Sequence, residues 1–281
     1  MNKKIIPILL AVFLITTACG LNIHERVTPE AEKTDKINVP VPSSEKARLT
    51  LQFGAGELTL SAGAEDALVD GSATYNYSKI KPVIKTDGDN VTISSGDGSF
   101  NAFPNFSDLK NTWDLKLGSA PMDLNIEAGA YTGEFEFGGL ALTSLTVQDG
   151  ASTVDLSFSK PNEAEMSILS YETGASTVKL TGLANANFAA LDFSGGAGDY
   201  TLDFSGDLQR SATVNIDAGL CNIILLIPEG VNAVVTVDSG AANVSFGSGW
   251  TQNGDIYTQE GEGPTITFIV NIGAGNLTLT K

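Results

Sequence analysis

Apolar and polar residues in this chain alternate around a recurring glycine. With Gly54, Gly129, Gly150, Gly174, Gly196, Gly219, Gly240 and Gly273 as origins, the positions five and three residues earlier hold Leu49/Leu51, Leu124/Ile126, Leu145/Val147, Leu169/Tyr171, Leu191/Phe193, Val214/Ile216, Val235/Val237 and Phe268/Val270. All are apolar. The positions four and six residues later hold Leu58/Leu60, Gly133/Phe135, Val154/Leu156, Val178/Leu180, Tyr200/Leu202, Ile223/Leu225, Val244/Phe246 and Leu277/Leu279, where only Gly133 departs. Period-two alternation marks half-buried strands. Apolar residues make up 42% of the chain, too few for such agreement to arise as background. The inward parity switches across each glycine, so the chain turns a corner there. Glycine permits a corner through positive φ or through close backbone approach.

From Gly129 to Gly240 the origins recur every 21 to 24 residues. One such unit cannot bury its inner face alone, and stacking units at ~4.8 Å gives a continuous core. The residues three places after the glycine read Glu57, Thr132, Thr153, Thr177, Asp199, Asn222, Asn243 and Asn276. Runs of Thr and then Asn suit ladders between parallel neighbours, in which like side chains bond to one another. The pattern predicts an all-β, single-stranded parallel β-solenoid with coils of about 22 residues. An antiparallel sandwich or partial propeller is the competing arrangement.

Lys3 and Lys4, the apolar run Ile5 to Ile15, and Thr16-Thr17-Ala18 before Cys19 resemble a bacterial lipoprotein signal over residues 1–19, with Cys19 as the lipidation site. The slot three before the cysteine, usually Leu, is Thr16. Residues 20–47 are polar, contain Pro29, Pro40 and Pro42, and predict a disordered tether spanning about 30 Å. Residues 48–117 hold the first coil and an N-terminal cap, with alternating segments near Ala67–Tyr77, Pro82–Thr86, Asn90–Ser94 and Thr112–Leu117. Residues 118–281 hold the repeats. An insertion there with Trp250, Gly254, Asp255 and Tyr257 predicts a hairpin that plugs the C-terminal end.

Charge narrows the partners. Cleavage before Cys19 leaves 14 basic against 33 acidic residues, a formal charge of −19, which disfavours nucleic acid and anionic headgroups. Lipidation of Cys19 leaves Cys221 without an intramolecular disulfide partner, and its slot is occupied by small residues in most coils, the place of a buried thiol.

Catalytic chemistry is poorly served. The single histidine, His24, lies in the tether, which removes Ser-His-Asp and Cys-His schemes and multi-histidine zinc sites. Glu134, Asp155 and Lys179 share an outward column, read as a solvated cross-coil ion pair or, in a polysaccharide-active enzyme, as its acidic centre. Gly195-Gly196-Ala197-Gly198-Asp199 echoes a calcium-binding nonapeptide, but its Asp falls one place early and no second copy follows. No catalytic residue, metal or cofactor is assigned.

Phe53-Gly-Ala-Gly-Glu-Leu-Thr-Leu60, and Gly249-Trp-Thr-Gln-Asn-Gly-Asp-Ile-Tyr257 with the strand from Ile266 to Leu279, resemble the toast-rack family of bacterial envelope domains. That family is similar to the C-terminal domains of LiaF-type cell-wall-stress proteins and to adhesin-like head-domain proteins. The resemblance implies a β-solenoid, membrane association and a role in sensing or adhesion, with no catalytic residues to carry over. The expected function is a non-catalytic, membrane-anchored envelope lipoprotein. It would sit on the outer face of the cytoplasmic membrane or on the outer membrane and bind an unidentified glycan or protein. Trp250 and Tyr257, with Phe103 and Phe106, are the candidate contacts. A polysaccharide-active β-helix enzyme and a purely structural envelope protein are the alternatives.

Overall fold

The structure, a computed structural model, describes residues 29–43, 46–96 and 108–281. The signal peptide with Cys19, and Phe103 and Phe106, lie outside the described residues. The glycine-centred units form continuous strands bent at the glycine: β2 (Ala47–Ala64), β7 (Met122–Glu136), β8 (Leu142–Ser157), β9 (Met166–Thr181), β10 (Phe188–Asp203), β11 (Ala212–Leu226), β12 (Asn232–Phe246) and β15 (Thr265–Thr280). Residues before the glycine build a leading wall and residues after it a trailing wall. Neighbouring coils run parallel, with Leu156 beside Leu180 and Leu180 beside Leu202. The predicted columns are therefore real, and the antiparallel sandwich is excluded for the repeats.

Close approach, not positive φ, explains the corner glycines. A Cβ on Gly129, Gly174 or Gly196 would stand 2.4 Å from the carbonyl oxygen of Gly54, Gly150 or Gly174 in the preceding coil. Alanine follows the glycine in every coil except β11, where Leu220 is 67% exposed. Between the walls the inward side chains form one core, with ring pairs such as Tyr171–Phe193, Phe193–Tyr200 and Phe204–Phe268. On the third side, buried asparagines tie the return loops together. Asn162 accepts from the Leu142 amide and donates to the Leu142 and Ala164 carbonyls, while Asn185 donates to the Phe158 carbonyl.

The coils depart from sequence order at one place and the chain from the predicted tether at another. The sheet order is β11-β15-β12, so the last strand in sequence slides between two earlier ones and β12 becomes the terminal coil. The tether also ends earlier than residue 47. Lys33–Pro40 forms β1, antiparallel to β3 (Ala67–Tyr75), because Ile37 and Val39 alternate and bury under the cap.

The cap splits across the two walls. On the leading half of β2 lies β5 (Asn90–Ser95), backed by β4 (Pro82–Asp87); on the trailing half lies β6 (Asn111–Gly118), backed by β3 and β1. At the other end β14 (Ile256–Gln259) pairs with Ala233–Thr236 of β12, and β13 (Trp250–Asn253) pairs with β14. That hairpin closes the leading wall alone.

Candidate functional site

The aromatic contacts expected on the C-terminal hairpin face the wrong way for recognition. Trp250 is 7% and Tyr257 5% exposed, the Tyr257 ring packs 5.3 Å from Phe246, and Gln252 donates to its hydroxyl at 3.0 Å. Closing the core end takes these rings inward. Cys221 is buried as expected, and burial followed by the Asp199 charge raises its thiol, which leaves it a poor nucleophile. Glu134 stands beside Asp155 and Asp155 beside Lys179, as predicted. The expected ion pair does not form, since no salt bridge joins them among the described residues.

Three columns near the glycine corner are organised. The expected amide ladder runs Asn243 to Asn276 at 3.4 Å, Asn276 to Asn222 at 2.7 Å and Asn222 to Asp199 at 2.8 Å, each amide donating to the next oxygen.

A second column, two residues before the glycine, was not apparent from the sequence because its order depends on the intercalated strand. In space it reads Gln52, Glu127, Gln148, Glu172, Ser194, Asp217, Asn271, Asp238. Acids and neutral polar groups alternate without exception. Gln52 donates to Glu127 at 2.9 Å, Gln148 to Glu172 at 3.4 Å and Asn271 to Asp217 at 2.7 Å. Alternation keeps successive carboxylates two coils, about 9.6 Å, apart. Shallow depressions follow this column beside the bare glycine backbone, at Gln52–Gly54 with Glu127–Gly129, at Gln148–Asp149 with Glu172–Gly174, and at Asp217–Gly219 with Asn271–Gly273. The first two share Ala128 and Gln148 and make one open groove, and the third lies farther along the same corner.

Inside the corner, coils β7 to β9 exchange apolar packing for a polar knot around Asp149. Its carboxylate accepts from the hydroxyls of Tyr131 at 3.2 Å, Tyr171 at 3.0 Å and Ser152 at 3.0 Å, and from Thr173. Ser176 receives the Ser152 amide at 2.9 Å. Burial raises both tyrosines well above the ordinary range, Asp149's charge adding to the rise, so each stays a protonated donor. The Asp149 carboxyl group is thus ringed by hydroxyls and engaged on both oxygens. One coil on, burial pushes Tyr200 up to about 12, and among the described residues its hydroxyl has no partner. The calcium-like glycine run serves this ring, because a Cβ on Gly195 would lie 2.5 Å from Tyr200 Cε2.

Among the described residues no three His, Cys, Asp or Glu side chains gather to hold a metal, and no helix is long and apolar enough to cross a membrane. The sequence family described as the N-terminal domain of toast_rack matches residues 28–170 and 162–226. The chain belongs to that family. Both matches fall on the cap and the coils up to β11 of this toast-rack chain, ahead of the intercalated strand β15. A candidate cell-adhesion protein from Clostridium sporogenes is 20% identical over 89% of this chain and 99% of its own, with a TM-score of 0.47. A candidate adhesin from Parabacteroides merdae is 12% identical over 92% and 100%, at 0.36. A candidate lipid-binding protein from Parabacteroides distasonis is 14% identical over 90% and 99%, at 0.38. Among curated proteins none matches the chain.

Proposed function

We propose that this toast-rack protein is a non-catalytic lipoprotein of the bacterial cell envelope, anchored through Cys19, that works as an adhesion or envelope-sensing scaffold. Its partner is an envelope glycan or protein laid along the glycine corner. The groove with its alternating column carries this reading. It offers acceptors at a fixed repeat to an extended partner bearing donors or positive charges about every 9.6 Å. A solenoid suits the task because the inward ladder holds shape while outward columns vary. Asp149 supports the non-catalytic reading, since both its oxygens are occupied by hydroxyl donors.

The test uses cells expressing the full chain. Cys19→Ser is expected to release the protein from the membrane fraction, and Glu127→Gln with Glu172→Gln to reduce retention of envelope material without changing folding. Full retention by the double variant removes the groove from the proposal. The adjacency of Glu134 and Asp155 favours one second reading, a polysaccharide-active enzyme. Glycan cleavage that disappears in Asp155→Asn would establish it.

A further inference from the structure

Among the described residues the two walls end in four sheet edges, and three carry ordinary protection. The β1 edge holds Lys33, Asp35, Lys36 and Pro40, the β4 edge holds Pro82, Lys85 and Asp87, and β13 is four residues long. Charge, proline and shortness are the usual devices that stop an edge from templating a new strand. The fourth edge, the trailing half of β12 over Ala241–Phe246, has none of them. No charged residue or proline occurs from Ser239 to Gly254, in a chain of formal charge −17.

That edge is open in backbone and in core. It pairs with β15 on one side, and among the described residues nothing pairs with the other. Gly247 donates back to the Leu279 carbonyl at 3.0 Å, so by alternation the peptide groups of Ala242, Val244 and Phe246 face outward. Phe246 belongs to the column in which Leu225 and Leu279 are fully buried, yet it is 41% exposed.

We infer that the trailing half of β12 accepts an added strand from a partner protein, an extended segment apolar at alternate residues and basic at the end nearest the glycine corner. Shape selects a single segment. The β14–β13 hairpin carries the leading wall two strands, about 9.6 Å, past the trailing wall, which leaves a step that admits a strand and obstructs a second coil. Charge selects the basic end. Asp238 and Asp255 stand where β12 leaves the hairpin, Val237 donating to the Asp255 carbonyl at 2.9 Å, and among the described residues neither carboxylate is in a salt bridge. Main-chain bonds then supply affinity, and the surface around Val244 and Phe246 selects the inward side chains. This surface meets the groove's column only at its last member, Asp238, and Val244 and Phe246 lie outside that column, so either reading can fail without the other.

The probe is a synthetic peptide alternating Val and Thr between two terminal lysines, titrated into the full chain by fluorescence anisotropy. Saturable binding is expected, with slowed amide exchange at Ala242, Val244 and Phe246. Val244→Pro removes an amide that β15 does not use, so it should keep the unfolding temperature and weaken binding at least about tenfold. Phe246→Lys should do the same and serves if the proline variant unfolds. Asp238→Asn with Asp255→Asn should weaken binding at low salt only. Equal binding by a peptide N-methylated on alternate amides, or protection confined to another strand, overturns the inference. So does a concentration-dependent dimer protected along β12, which assigns the edge to a second copy.

Discussion

At Gly174 a methyl group has no room, because its carbon would sit 2.4 Å from the Gly150 carbonyl oxygen, and that backbone is fixed by the coil beneath. Gly54 heads the same column and has nothing within 4 Å of its would-be Cβ, since β5 and β6 flank the corner without crossing it. Gly174→Ala is therefore expected to cost about 3 kcal/mol in chemical denaturation and Gly54→Ala less than ~0.5 kcal/mol. Equal costs would locate the constraint in backbone torsion instead. The Asp149 knot makes a second residue-scale prediction. Tyr131 and Tyr171 lose their protons at higher pH in the folded chain than unfolded. Above about pH 10 the unfolded state then releases protons that the folded state retains, so stability falls as pH rises, by at most ~1.4 kcal/mol per unit for each tyrosine. Unfolding followed from pH 8 to 11 should show this decline, and Tyr171→Phe should make it shallower while Tyr131 still contributes.

Among elements, the position of β15 is the decision that sequence order does not reveal. Stacked in sequence, Asp217 and Asp238 would be neighbours about 4.8 Å apart; with β15 between them, Asn271 separates the two and donates to Asp217. Asn271→Asp would place three carboxylates in a row. It is expected to lower the unfolding temperature at low ionic strength and to recover part of the loss in 0.5 M salt, where an exposed repulsion of about 1 kcal/mol is screened. A loss indifferent to salt would mean that Asn271 acts through its hydrogen bond alone. The coils themselves were legible in the sequence, as were β3 to β6 of the cap, because a strand with one buried face writes its parity into the residues. Strand β1 was missed because its buried pair, Ile37 and Val39, is short and set among prolines and charges that read as linker. Trp250 and Tyr257 were misread because an aromatic in an insertion has the same composition whether it binds a partner or seals a core. The Asp149 knot left only a faint signal, a polar residue at an inward position beside Tyr131 and Tyr171, and its partners lie on three different coils.

As a whole the molecule is close to one-dimensional, each inner coil resting on two neighbours, so stability is shared through interfaces and local opening is free to begin at the less covered end. The ends differ. The cap covers both halves of β2, whereas the hairpin covers only the leading half of β12. Amides three and five residues after the glycine sit at equivalent places in every coil, which makes them matched reporters. Thr177 and Lys179 in β9 are flanked on both sides, Glu57 and Thr59 in β2 are covered by β6, and Asn243 and Ser245 in β12 have β15 on one side only. Hydrogen exchange near neutral pH is expected to be slow and similar for the first two pairs. For Asn243 and Ser245 it should be at least a hundredfold faster, an opening cheaper by ~2.7 kcal/mol. Uniform rates would show that the stack opens as one cooperative unit, and the unguarded edge would then be as rigid as the middle. Fast exchange confined to β12 would show instead that the edge left without charge, proline or shortness is also the segment most ready to rearrange around an incoming strand.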